Sequence, residues 1–430
     1  MSNPQLKRLF SHMALLTLAR IVGALCVFAI TFLITRQFGA NMMAQYSVFL
    51  AIASLASVLL PCGFHAIGSM IAAEYRALDR LGLLSFFTQY GHRLIVIMSL
   101  IAAIPATVAA MLIPSEGAYD LSIILAGAIP SAMAMGYIYF NGSILIGLQR
   151  QFSGQLPDML LRPLLLIASF GLIALMIDDV SIAHLVLAAT AIFIATAAIQ
   201  WIRLRRTLSK QAGTASEQEE ERKKWWQMAP SWTVITLLWD YFIEIHIILA
   251  SLLFAPFEVA MLHISFRIRQ LAGFGMKALY SLLMPKVFSA NAQQQNGETQ
   301  SLIRLSSRIT LAYATAAWIT IALIGQFILG LFGNEFEQGH GILMIIMATL
   351  PIRALFGPAP AVLGMKRNHH RIAQILLISL ALSLVLTMGG FELGGLTMVA
   401  WGYLAATGFT AIAMWLSAKQ KTGINCAVWA

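Results

Sequence analysis

Charge is what this sequence has least of. Asp, Glu, Lys and Arg make up only 11% of its 430 residues, against roughly 25% in an ordinary soluble domain. The deficit runs the whole length, 59% of residues are hydrophobic and the mean hydropathy is +0.79. No soluble domain can be cut from such a chain, which reads as an all-α integral membrane protein. Cysteine is also scarce. Cys26 and Cys62 fall in apolar segments and Cys426 near the C-terminus, so no disulfide framework is implied. Proline (13) is below its usual share and glycine (31) near it, which argues against a disordered or low-complexity chain. The first apolar segment lacks a small-residue cleavage site and continues to about Ile34, so it reads as a retained helix. No stretch has metal-ligand spacing or a cofactor motif. His369 and His370 sit in a basic loop as solvated side chains.

What is abundant is apolar span. Segments near 10–35, 42–72, 88–113, 121–148, 159–177 and 181–203 are each about long enough to cross a bilayer. A second set lies near 228–254, 257–284, 306–332, 341–364, 371–390 and 395–418. About twelve transmembrane helices are therefore expected. The polar segment 205–227, RRTLSKQAGTASEQEEERKKWWQ, reads as a solvated linker. It divides the chain into lobes at 1–204 and 228–430. Trp225 and Trp226 mark the interface where the seventh span begins.

The 28 Lys and Arg divide unevenly between the two sides. One set of connections, with flanking span ends, holds 22 of them, from Lys7 and Arg8 through Arg162, Arg205 and Lys210 to Lys419 and Lys421. The opposite set holds only Arg36, and five (Arg20, Arg267, Arg269, Lys277 and Arg353) lie inside spans. Cytoplasmic loops collect Lys and Arg, so both termini are expected in the cytoplasm of a multi-pass inner-membrane protein. This placement accounts for the net charge of +10 without a nucleic-acid partner. The outer loops are short and acidic, too small for the catalytic site of an intramembrane glycosyltransferase or polymerase.

Two stretches occupy equivalent places in the two halves. FGANMMAQYSVFLAIASLASVLLPCG starts at Phe38 and FAPFEVAMLHISFRIRQLAGFGMKAL at Phe254; each gives a short outer turn and then a long returning helix. Parallel repeats of this kind place a site at their interface. Together with TRQFGANMMAQYSVF, LLPCGFHAIGSMIAAEY, FEVAMLHISFRIRQLAGFGMKALYSLLMPKVFSA and GPAPAVLGMKRNHHRIAQILLISL, they make the chain resemble a known group. It is similar to the polysaccharide-transport branch of the multidrug/oligosaccharidyl-lipid/polysaccharide exporter superfamily. The sequence departs from that branch in having Ala260 and Leu262 where Gly-x-Tyr is usual. The resemblance implies two pseudo-symmetric six-helix lobes around a central cavity. It also implies a flippase of a lipid-linked oligosaccharide such as an O-antigen precursor, with a polysaccharide polymerase as a further partner besides membrane lipids.

The residues themselves carry a second line of reasoning. Residues 237–254, LLWDYFIEIHIILASLLF, set Asp240, Glu244 and His246 in an apolar run. On a continuous helix Asp240 lies about 15 Å from Pro230, near mid-membrane, with Glu244 one turn further on the same face. His246 points away from that face. In the eighth span His263, Arg267, Gln270 and Lys277 follow spacings of 4, 3 and 7 and form one stripe, while Arg269 points toward another helix. Arg20 reaches mid-depth in the first span. A charge at the bilayer centre costs roughly 2.5–3.5 kcal/mol, so these residues imply a hydrated cavity. Arg20 and Arg267 would hold an anionic phosphate, supported by His263 and Gln270, and Lys277 either receives it or snorkels to the interface. Asp240 and Glu244 would act as coupling or gating acids for a proton or sodium ion, or Asp240–Arg267 is a structural ion pair. The alternative function is an ion-coupled multidrug or cation exporter of the same superfamily. Its cavity is expected to carry net negative charge and aromatic side chains.

Overall fold

The computed structural model describes residues 4–112, 119–208, 215–293, 296–365 and 369–430. Lys210, Lys366, Arg367 and the outer loop at 113–118 lie outside them. The described chain is helical and contains no strand. Its helices are α1 (Pro4–Leu59), α2 (Phe64–Ala77), α3 (Leu81–Leu112), α4 (Leu121–Gly147), α5 (Gln151–Leu156), α6 (Arg162–Met176) and α7 (Ile182–Arg205). They continue with α8 (Ala215–Asp240), α9 (Phe242–Leu253), α10 (Pro256–Ala292), α11 (Asn296–Gly330), α12 (His340–Leu355), α13 (Ala359–Met365) and α14 (His369–Thr422).

About twelve spans emerge once the breaks are read. Among the described residues nine helices are long and apolar enough to cross a membrane, and the bent pair α8–α9 makes ten. The backbone leaves the helical region at Gly39 (φ 85°), which separates the first two spans inside α1. The last two of those ten, inside α14, are parted near Gly394 and Gly395 (φ 57°), where the backbone is again non-helical. The remaining span is α10, whose Arg267, Arg269 and Lys277 lower its hydropathy. The fifth span joins α5 to α6 through a π-helical turn at Pro157–Leu161. The second span breaks at Cys62 (φ 47°) and Gly63 (φ 86°).

The chain packs as two compact units, Met1–Ser251 with Ala255–Phe257, and Leu252–Phe254 with Glu258–Ala430. The seventh span, α8 with α9, thus belongs to the first unit. Gly63 shows why the contact is close. A Cβ there would meet the Ala229 carbonyl and the Thr233 hydroxyl of α8, so only glycine fits at that φ. In the second unit the C-terminal residues fold back: Ser307 Oγ donates to the Cys426 carbonyl at 2.8 Å and Trp415 Nε1 to Asn425 Oδ1 at 2.7 Å.

The segment expected to be a solvated linker is instead helical from Ala215 and docks on the first unit. Its charges are spaced to pair along a helix: Arg222–Glu219 at 2.6 Å and Lys224–Glu220 at 3.0 Å. Trp225 is fully buried among Phe64, Phe86, Phe87 and Tyr90. Its Nε1 donates to Tyr75 Oη at 3.0 Å, and Tyr75 Oη donates to Glu221 Oε2 at 2.8 Å. Burial pushes the Glu221 carboxyl up, but the Tyr75 hydroxyl, Lys224 and Arg80 together hold it below the ordinary carboxylate value. A depressed carboxyl contributes stability above its unfolded pKa and loses it as pH falls through the folded one. Tyr75→Phe is therefore expected to cost about 1.5–3 kcal/mol at neutral pH, the range for a hydrogen bond to a charged group. The difference from the parent protein should shrink as pH falls below the ordinary carboxyl value of 4.5. Thermal melts of both proteins across pH check this, and a pH-independent difference would remove Glu221 from the interaction.

Candidate functional site

Residues 237–254 do not form one helix. α8 ends at Asp240, Tyr241 is a bend, and α9 starts at Phe242 at 66° to α8. This corrects the expected single polar face through Thr233, Thr236, Asp240, Glu244 and Ser251, because a helical face does not continue across such a break. Asp240 instead terminates one half-helix and is exposed, while Glu244 stands in the first turn of the next. The two acids sit at opposite dipole ends. Glu244 is favoured at the N-terminus of α9, whereas Asp240 faces the terminal carbonyls of α8. Broken helices at membrane depth are tolerated where the backbone lines a cavity or is covered by protein. His246 is buried, with its Nδ1 2.7 Å from the Phe242 carbonyl, which fits a satisfied packing histidine.

Beside the break lies a polar cluster that the sequence reading missed. Arg162 had been counted among the side chains flanking a span. The fifth span in fact begins at Gln151, which places Arg162 about 16 Å along the helix, deep in the membrane layer. Arg162 Nη2 pairs with Asp158 Oδ1 at 3.1 Å, and its guanidinium lies 5.4 Å from the Phe193 ring centroid. The Tyr139 hydroxyl, from α4, lies close to both Arg162 and Tyr241. Asp240 and Glu244 are close enough to act electrostatically on Tyr241. Arg162 retains 18% and Asp158 25% of their side-chain surface.

The π-turn explains how this part of the unit closes. Pro163 has no N–H to return to the Met159 carbonyl, and the Arg162 N–H bonds to the Pro157 carbonyl in an i→i−5 pattern. The freed Met159 carbonyl is directed at Gly23 of α1, where any Cβ would collide with it. Three residues earlier on α1, Arg20 is exposed and its Nη2 donates to Gln155 Oε1 at 2.9 Å. Arg20, Gln155, Asp158, Arg162, Tyr139 and Tyr241 thus belong to one region of the first unit.

The second unit carries the stripe expected on the eighth span. In α10, Arg267 Nε donates to His263 Nε2 at 3.1 Å and Arg267 Nη1 to Gln270 Oε1 at 2.8 Å. His263 is buried and Arg267 half-buried. Lys277 is exposed, with Nζ 5.8 Å from the Phe274 ring centroid. Arg269 turns away to α12 and α14: its Nε donates to Thr349 Oγ1 at 2.6 Å and its guanidinium lies 5.4 Å from the Tyr403 ring centroid. Asp240 and Arg267 belong to different units.

Charge therefore differs between the units. At membrane depth the first holds Arg20 and Arg162 with Asp158, Asp240 and Glu244, whereas the second holds Arg267, Arg269 and Lys277 on α10 and Arg353 on α12. Tyr139 and Tyr241 add aromatic hydroxyls to the acidic side.

No family model and no curated protein matches the chain. Solved structures do. One is the inward-facing conformation of a multidrug resistance MATE family transporter of the MOP superfamily, with a TM-score of 0.74 at 12% identity over 95% of this chain and 98% of that one. The outward-facing conformation of a multidrug resistance MATE family transporter gives 0.60 at 15% identity over 94% of each chain. A MOP superfamily transporter from Pyrococcus furiosus Vc1, described as having a binding pocket of reverse polarity that suggests a different function, gives 0.63 at 14% identity over 94% of each. The match spans nearly the full length of both partners, and the chain has the fold of the MATE transporters of the MOP superfamily.

Proposed function

We propose that the chain is an ion-coupled exporter that works by alternating access, with both termini cytoplasmic. The observation that carries this reading is the broken seventh span. A half-helix that ends on exposed Asp240 offers a carboxylate and the negative end of its dipole to a monovalent cation or proton. Glu244 stands across the break. The acids of the first unit, with Tyr139 and Tyr241, suit a lipophilic organic cation as cargo. The multidrug transporters whose fold it shares support that choice over the flippase implied by sequence resemblance.

A second reading rests on a specific observation. The His263–Arg267–Gln270 ladder and exposed Arg20 place guanidinium groups at membrane depth, as a phosphate-bearing lipid-linked oligosaccharide would require. The two readings separate by mutation. In vesicles with an imposed ion gradient, the exporter expels a fluorescent lipophilic cation, and Arg20→Ala leaves this within about threefold of the parent protein, because removing a like charge does not harm cation binding. Under the flippase reading the same change stops surface glycan export, and Arg20→Lys restores only part of it because Lys lacks the planar fork. Glycan loss with no cation efflux by the parent protein would replace the first reading with the second.

A further inference from the structure

A recess of about 470 Å³ lies in the first unit between α3 and the end of α7. The start of α3 lines it with Ser85, Gln89 and His92, and the end of α7 with Trp201 and Arg205. Its depth follows from the helices. Arg205 ends α7 and Ser85 lies about one turn from the start of α3, at the arginine-rich end of both spans and the level of lipid headgroups on that side, while Gln89 and His92 lie about two and three turns in. No carboxylate lines it. Arg205 is exposed and stacks its guanidinium 5.2 Å from the Trp201 ring centroid, while Trp201 itself is 40% exposed. Arg203 and Arg206 flank it, and none of the three pairs with a carboxylate among the described residues, in contrast to Arg80, Arg162 and Arg222. Arg93 lies one turn beyond Gln89 on the same face of α3.

The wall is firm. His92 Nε2 lies 2.6 Å from Asn141 Oδ1, its ring stacks on Tyr137 at 4.7 Å, and Leu204, which also lines the recess, is anchored in the buried core. Beyond the recess α3 presents a continuous apolar strip, with Ile97, Leu100 and Ile104 each more than half exposed. A largely apolar recess with a few polar side chains and a headgroup-level arginine, a stacked guanidinium without an acid, and an apolar track leading toward the bilayer centre match the parts of one molecule.

We propose that this recess binds an anionic phospholipid of the basic-side leaflet, with its phosphate on Arg205, its headgroup hydroxyls toward Ser85 and Gln89, and its acyl chains along α3. A planar guanidinium recognises a phosphate in two-point fashion, and Trp201 holds it in place. This binding is separate from cargo transport and does not depend on which cargo is correct. A diffuse basic surface would attract the same lipid by about 1 kcal/mol per arginine, equally for Arg205 and Arg206. A built site would not treat them equally.

The test is retention of dioleoylphosphatidylglycerol on the detergent-purified chain, read by native mass spectrometry against dioleoylphosphatidylcholine and inorganic phosphate. The parent protein is expected to retain one phosphatidylglycerol, in preference to phosphatidylcholine, and millimolar phosphate should not displace it. Arg205→Ala should weaken retention about tenfold or more, the scale of one charge-assisted hydrogen bond. Arg206→Ala should change it far less, and Gln89→Leu should give an independent loss. Equal loss in Arg205→Ala and Arg206→Ala, equal retention of the two lipids, or displacement by phosphate would each overturn the proposal.

Discussion

Arg162→Met is expected to destabilise the first unit by about 2–3 kcal/mol, less than the roughly 3–5 kcal/mol for a fully buried pair because both side chains keep part of their surface. The change leaves the Asp158 carboxylate without its cation. Methionine keeps the length of the arginine stem and fits against Phe193, so a lost cavity-filling contact contributes little. Adding Asp158→Asn should recover most of the loss, because the second change removes the orphan charge. Arg162→Lys should fall between, since it keeps the charge but lacks the planar fork. Thermal melts of the three variants and the double form a cycle that isolates the pair. A single Arg162→Met protein as stable as the parent would mean that water reaches Asp158, and the cluster would then be part of an open vestibule.

The helical class and the number of spans were legible because the bilayer enforces them: about twenty apolar residues per crossing leave little freedom in the pattern. The α10 ladder was also legible. His263, Arg267 and Gln270 are spaced by 4 and 3 on one uninterrupted helix, so periodicity alone puts them together. The same argument turned Arg269 toward a neighbour, where it meets Thr349. Arg162 was missed for a physical reason. Pro157 and Pro163 look like the edges of a span, yet a membrane helix can absorb two prolines through a π-turn and an adjacent backbone. The break at Tyr241 had no glycine or proline to announce it, and the run through it is apolar on both sides. The docking of residues 215–227 was hidden by composition: a Glu- and Lys-rich run reads as solvated, although its i,i+3 and i,i+4 signs already favour a helix.

Asp240→Asn should act on transport far more than on folding. Because Asp240 is exposed at the end of α8, where charge interactions are screened, stability should stay within about 1 kcal/mol of the parent. The same change removes the carboxylate proposed to hold the coupling ion. An imposed ion gradient should then lose its stimulation of export, an effect of about 5–150-fold for typical coupling energies. Arg267→Gln tests the other unit and its ladder. If the two charges meet only as a structural pair, Asp240→Asn lowers the melting temperature by the equivalent of several kcal/mol and the double change restores it. If Asp240 serves coupling, the double mutant remains folded and uncoupled, because removing the cation does not return the acid. Melting temperature and gradient-driven uptake, measured for both single mutants and the double, distinguish these outcomes. A double mutant that folds and transports like the parent would show that the acid at the break in LLWDYFIEIH is dispensable, and the proposed mechanism would fall with it.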